Sequence, residues 1–159
     1  MSNASPPRPR VVVGKRRFAI VSSKFNAGYV QGLVDHATDE FRKQIPAADL
    51  TCYQVPGAFE IPVVVQDVAA NKRADAILAI GVIFKGHTEH AENLARSVTD
   101  ALQRIALAHG VPVIHCVLSL DSEEQARERC LEENINRGRE AARAAIEIAN
   151  VMADLHPKP

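Results

Sequence analysis

Four short apolar runs, each followed by a stretch with helical spacing, predict an α/β protein built on a four-stranded parallel sheet. Strands covered on both faces read as continuous hydrophobic segments, and Ala76–Phe84 is the clearest of the four. The polar, glycine-bearing turns all follow strands. That puts them at one edge of the sheet, where open α/β sheets bind ligands. The expected architecture is a flavodoxin-like three-layer sandwich.

Residues 1–10, rich in Ser, Pro and Arg, read as a flexible N-terminal arm, and 11–156 as a single domain. Residues 18–23 form the first strand. Val30, Leu33, Val34, Ala37 and Phe41 give helical spacing over 29–43. A second strand covers 50–55. Ile61–Ala70 is helical, and Pro62 is tolerated because it falls in the first turn. The third strand, Ala76–Phe84, runs into a helix over His90–His109, whose His90, Leu94, Val98, Ala101 and Ile105 share one face. Gly110 ends that helix, and 111–119 is the fourth strand. Ser122 with Gln125 three residues on is a capping-box signature for a short helix to about Leu131. A last helix spans 136–155.

With 159 residues the chain forms one core that buries roughly 68–70% of its unfolded surface. Its 47% hydrophobic and 24% charged residues are those of an ordinary globular protein. Nineteen basic and nineteen acidic side chains cancel, so no global field draws nucleic acid or anionic lipid. Arg8, Arg10, Lys15, Arg16 and Arg17 cluster near the start and read as a solvated tail leading into the first strand. Cys52, Cys116 and Cys130 are odd in number and lack CxxC spacing; Cys52 and Cys116 fall in strand-like runs, where a thiol acts as a small hydrophobe. No apolar run approaches a membrane span and no signal-peptide pattern opens the chain, so the expected location is the cytoplasm.

The chemistry concentrates between the third strand and its helix. Gly86-His87-Thr88 precedes a helix start, so backbone amides and the Thr88 hydroxyl can hold a phosphate; equally, Thr88 can simply cap the helix. His90 lies in the first turn, where the helix dipole favours a neutral ring able to accept a proton. His87 and His90 are three apart, but only Glu89, Glu92 or His115 offers a third ligand, and no metal site is expected. Glu60, after Pro56-Gly57-Ala58-Phe59, either serves its helix dipole or accepts hydrogen bonds from ligand hydroxyls. Phe25, at the end of the first strand, either closes the core or stacks on a heterocycle. Arg129 and Arg137, which flank Glu132-Glu133-Asn134, offer bidentate phosphate contacts if they are more than solvated surface.

Phe25-Asn26, the stretch from Val55 to Pro62 (VPGAFEIP), the stretch from Gly81 to His90 (GVIFKGHTEH) and Glu124-Gln125-Ala126 resemble lumazine synthase, collinearly over residues 18–151. The resemblance implies the penultimate step of riboflavin biosynthesis. In it, 5-amino-6-(ribitylamino)uracil condenses with 3,4-dihydroxy-2-butanone 4-phosphate to give 6,7-dimethyl-8-ribityllumazine, with no cofactor. It further implies that Phe25 stacks on the uracil and that Ala58, Phe59 and Glu60 hold the ribityl chain. The backbone of Val82, Ile83 and Phe84 would read the ring edge. His87 and Thr88 would take the phosphate with Arg129, Arg137 would match a position often lysine, and His90 would be the general acid/base. His115 and the arginine would come from an adjacent subunit of a homo-oligomer built of pentamers, with riboflavin synthase as a candidate partner. Three departures stand out: His115 where phenylalanine is common, Ala91 where an aromatic is usual beside the base, and a 131–136 segment without the usual Gly-Lys-rich composition. Competing readings are a relative that binds a flavin or pteridine without making it, and a structural shell. A phosphate-sensing regulatory domain is disfavoured, since the first strand ends without an acidic cluster for magnesium.

Overall fold

The computed structural model describes residues 3–9 and 15–157. Arg10 of the basic cluster and the expected arm–domain boundary at 10–11 lie outside the described residues. Strands β1 (Arg17–Ser23), β2 (Asp49–Val55), β3 (Ala76–Phe84) and β4 (Val113–Leu120) alternate with helices α1 (Ala27–Gln44), α2 (Ile61–Ala70), α3 (His90–His109), α4 (Glu123–Ala126) and α5 (Arg137–Leu155). All pairings are parallel, in the order β2-β1-β3-β4. The expected flavodoxin-like sandwich with a four-stranded parallel sheet is the observed fold.

The three layers follow from side-chain alternation along the strands. Phe18 and Ile20 of β1 pack with Leu33, Phe41, Ala142 and Ile146 of α1 and α5, whereas Ala19 and Val21 join Ile61, Val65, Val98 and Leu102 of α2 and α3. The Phe18 and Phe41 rings stack with centroids 4.5 Å apart. β1 and β3 are therefore buried from both sides, as continuous apolar sequence requires. β2 is different. As an edge strand it exposes Asp49, Thr51, Cys52 and Gln54, so Cys52 is an exposed thiol rather than the small core hydrophobe its strand context suggested. Cys116 and Cys130 are buried.

Other differences are local. β4 begins two residues later than 111, because Pro112 has no N–H for a rung; its carbonyl instead accepts from Ile77 N–H at 2.9 Å. Ser122 caps α4 as expected, accepting from Gln125 N–H at 3.2 Å, but the Gln125 side chain accepts from Asp121 N–H rather than from the cap residue. Past Ala126 the helix widens into an i→i+5 turn over Arg127–Leu131, closed by Glu132 N–H to the Arg127 carbonyl at 3.1 Å. Asn136 is the cap of α5, its Oδ1 accepting from the Gly138 and Arg139 amides.

Within the expected arm, Arg8 is not simply solvated. It donates to Glu40 of α1 at 3.2 and 3.3 Å, Arg143 of α5 donates to the same carboxylate at 2.7 Å, and Arg143 also donates to the Pro6 carbonyl at 2.7 Å. Glu40 is 2% exposed. Burial alone would push its carboxyl up, but hydrogen bonds and charge from Arg143 and Arg8 outweigh that and hold it below its ordinary value. A depressed carboxylate stabilises the fold above its unfolded pKa of about 4.3, and the contribution is lost as pH falls through the lower folded value. Urea unfolding from pH 6 down to pH 2 should therefore show an acid loss of stability, and in Glu40→Gln this part of the slope should be missing.

Candidate active site

Four chain crossings meet at the carboxyl edge of the sheet. After β1, Lys24 and Phe25 amides donate to the Val55 and Pro56 carbonyls, which ties the first turn to the second and leaves the Phe25 ring 72% exposed. After β2, Gly57 is extended (φ −141°) and a single 3₁₀ turn, Ala58–Glu60, delivers Phe59 and Glu60 to the same edge before α2 begins at Ile61. Phe59 is 68% exposed. Two exposed phenylalanines on facing turns cost burial that a core would recover, and such rings mark a surface kept for a ligand. After β3, the Lys85 amide donates to the Leu120 carbonyl and its ammonium lies 3.3 Å from Asp121, fastening the third turn to the fourth. An edge-to-face contact between Tyr29 and Phe84, centroids 5.7 Å apart, sets the end of β3.

A cavity of about 660 Å³ results, lined by Phe25, Asn26, Ala58, Phe59, Glu60, Val82, Ile83, Phe84 and His90, with Ser23, Gly57, Ala91 and Leu94 completing the wall. It is predominantly apolar, with a carboxylate and an imidazole at its sides. A second cavity of about 400 Å³ adjoins it through the shared Ala91 and is lined by Lys85, Gly86, Thr88, Glu92, Ala95 and Ser119. Eight of the sequence-expected residues thus surround one space, and Thr88 borders the next. Thr88 does not cap α3; Glu89 is the cap residue, and α3 begins with no side-chain cap bond. Helix starts leave first-turn amides without intrahelical partners, and Ala91 and Glu92 of this turn line the second cavity.

His87, His115, Arg129 and Arg137 line neither cavity of this chain. His87 is exposed in the turn between Gly86 and Thr88. His115 lies on the edge strand β4 with Nε2 2.8 Å from Thr99 Oγ1, and desolvation lowers its pKa against a raising backbone hydrogen bond. Arg129 sits on the widened turn, 13% exposed, its Nε and Nη1 without hydrogen-bond partners among the described residues and the nearest carboxylate oxygen, of Glu128, 4.0 Å away. Arg137 opens α5 and donates to Glu140 at 2.5 Å. Burial pushes the Cys116 and Cys130 thiols up to about 12, which disfavours the thiolate form of both. Among the described residues, no three His, Cys, Asp or Glu gather as metal ligands, and no helix is long and apolar enough to cross a membrane.

Sequence reasoning gave no individual role to Asn26, Lys85 or Ser119 and weighed Glu92 only as a metal ligand, although all four line the cavities. For Asn26 a signal existed: asparagine in the turn between a strand and a helix is a residue that tolerates left-handed backbone.

The family model described as 6,7-dimethyl-8-ribityllumazine synthase matches residues 15–153. A 6,7-dimethyl-8-ribityllumazine synthase of Halorhodospira halophila (strain DSM 244 / SL1) is 38% identical over 146 residues, covering 91% of this chain and 94% of that protein. Among solved structures, a de novo designed Rossmann fold protein covers 70% of this chain and 91% of its own at 15% identity and a TM-score of 0.40, a likeness that bears on nothing further. A family match spanning all four strands and every cavity-lining turn, together with the relative's near-complete overlap, leaves one assignment: the chain belongs to the 6,7-dimethyl-8-ribityllumazine synthase family of transferases, in riboflavin biosynthesis.

Proposed function

We propose that the chain condenses 5-amino-6-(ribitylamino)uracil with 3,4-dihydroxy-2-butanone 4-phosphate, releasing phosphate and water, with His90 as general acid/base. The observation that carries this reading is the pair of adjoining cavities, one aromatic and apolar with a carboxylate, the other at a helix start with a hydroxyl and an ammonium. The larger suits a flat heterocycle against Phe25, its ribityl hydroxyls donating to Glu60 and reaching the Ala58 and Phe59 backbone, its polar edge against Val82, Ile83 and Phe84. The smaller suits the phosphate of the second substrate, held by the Thr88 hydroxyl and the amides about His87. The amine and ketone would then meet near the shared Ala91, beside the His90 ring.

Carbinolamine formation, loss of water to the imine, departure of phosphate, and ring closure by the ribitylamino nitrogen with loss of a second water each need a proton moved. His90 is the group at the seam to move it. Holding the two reactants together supplies the larger share of the rate. No cofactor enters this scheme. Mixing both substrates with purified protein and following lumazine absorption and fluorescence tests it; no product above the uncatalysed rate rejects it.

Arg129, Arg137 and His115 line neither of this chain's cavities; in this reading they serve the site of a neighbouring copy in a pentamer-based assembly acting in the cytoplasm, with riboflavin synthase as a further partner. Among the described residues Arg129 Nε and Nη1 lack hydrogen-bond partners and only Glu128, at 4.0 Å, faces its charge, which supports it as the bidentate phosphate clamp. Arg129→Ala is expected to raise KM for the phosphorylated ketone about tenfold or more, with a smaller change in kcat. An unchanged KM in steady-state kinetics removes Arg129 from the clamp.

A further inference from the structure

The turn between β1 and α1 contains a strain that its helix does not need. Asn26, at the cap position of α1, has φ 59° and ψ 46°, a left-handed conformation that costs a non-glycine residue some strain even though asparagine tolerates it better than most. An asparagine at a helix start ordinarily turns its side chain back onto the helix amides. Asn26 makes no such bond. Its Nδ2 instead donates to the Val82 carbonyl at 2.8 Å, across 56 residues of chain. The rungs between β1 and β3 end at the Ser22–Ile80 pair, so Val82 lies beyond the ladder on that side. In a parallel strand the N–H and C=O of one residue face the same neighbour, so a clamp on the Val82 carbonyl also directs the Val82 amide. Asn26 and Val82 both line the larger cavity, and the exposed Phe25 ring immediately precedes the clamp. Backbone strain with a forgone cap persists where surrounding structure imposes it, and it concentrates at ligand sites.

We infer that Asn26 is a positioning residue for the heterocyclic substrate. By tying the first turn to the carboxyl end of β3, it holds the face of Phe25 and the backbone from Val82 to Phe84 in one fixed relation, so that a flat ring is stacked and read at its edge together. The inference rests on the reading that the larger cavity takes the ribitylaminouracil. Asn26 acts through Phe25 and Val82 and touches no reacting atom. Glycine would adopt the same backbone without strain but leave the carbonyl unheld. Aspartate would keep the shape but set an oxygen against the Val82 carbonyl oxygen.

Asn26→Gly and Asn26→Asp test this, each measured by steady-state kinetics in both substrates, by fluorescence titration with 6,7-dimethyl-8-ribityllumazine, and by melting. Expected are an about tenfold rise in KM for the ribitylaminouracil, a parallel weakening of lumazine binding, and KM for the phosphorylated ketone within about twofold of the parent. The Gly variant should melt within about 2 °C of the parent or above it, because released strain offsets the lost bond. A merely structural role gives another pattern: lowered melting with both KM values moving together, and that result overturns the inference. Unchanged KM values in an active parent's variants overturn the role of Asn26 alone, whereas an inactive parent overturns the substrate reading and this inference with it.

Discussion

Gly138→Ala is expected to lower stability by about 3 kcal/mol, at the upper end of what overpacking costs. A Cβ at Gly138 would stand 2.1 Å from the Leu33 carbonyl oxygen, 2.8 Å from its carbonyl carbon and 2.9 Å from its Cα. All three are backbone atoms of α1, so no rotamer change relieves the contact; α5 must move off α1. That movement would disturb more than packing. The amide of Gly138 is one of the two that Asn136 caps, and Arg137 and Glu140 pair on the same turn. For a chain of this size, melting should fall by about 6–12 °C. Gly28→Ala is the internal control: nothing lies within 4 Å of its would-be Cβ, and it sits in an exposed helical turn. There alanine should be stabilising by about 0.5–1 kcal/mol. Thermal melts of the two variants check both signs; equal melting temperatures would mean that the α1–α5 crossing is not as close as it stands here.

Nothing in the sequence around Gly138 announces that crossing, and the reason is general. Hydrophobic period reports which face of an element is buried, not how closely two helices approach. The strands with the strongest apolar runs, β1 and β3, were legible to within a residue, because burial from both faces writes itself into every position. β2 was legible as a strand but not as an edge, since Leu50, Tyr53 and Val55 give it strand character while Cys52 and Gln54 face water. The turns were legible as a group because all follow strands. A parallel sheet then brings Phe25, Glu60 and His90 to one rim without any of them signalling the others. Cooperation between turns was not legible: the reach of Asn26 to Val82 and the pairing of Lys85 with Asp121 depend on strand order, and β1 lies beside β3 only once the sheet is assembled. The resemblance supplied residue roles that spacing left open, among them the choice between a capping and a ligand-facing Thr88. In the structure Glu89 is the cap residue of α3, without a side-chain cap bond, and Thr88 lines the smaller cavity.

His90→Ala is expected to lower kcat about a hundredfold while leaving turnover well above the reaction in free solution. A hundredfold corresponds to about 2.7 kcal/mol of transition-state stabilisation. The proposed scheme assigns more than that to approximation, for which well-oriented intramolecular reactions give about 7–11 kcal/mol. The geometry supports that division. His90 lines the larger cavity immediately before Ala91, the residue common to both, so under the proposed scheme its removal takes away the proton carrier while the other lining residues of both cavities stay in place. The side chain is exposed in the first turn of α3 and contributes little to the core, so the variant should melt close to the parent. KM for each substrate should change by less than about threefold, since a group acting on the transition state alone lowers kcat and kcat/KM together. Complete loss of activity in a folded, normally assembled variant would transfer the weight from approximation to His90. A KM that rises for one substrate while kcat holds would make the ring a binding group rather than the acid/base.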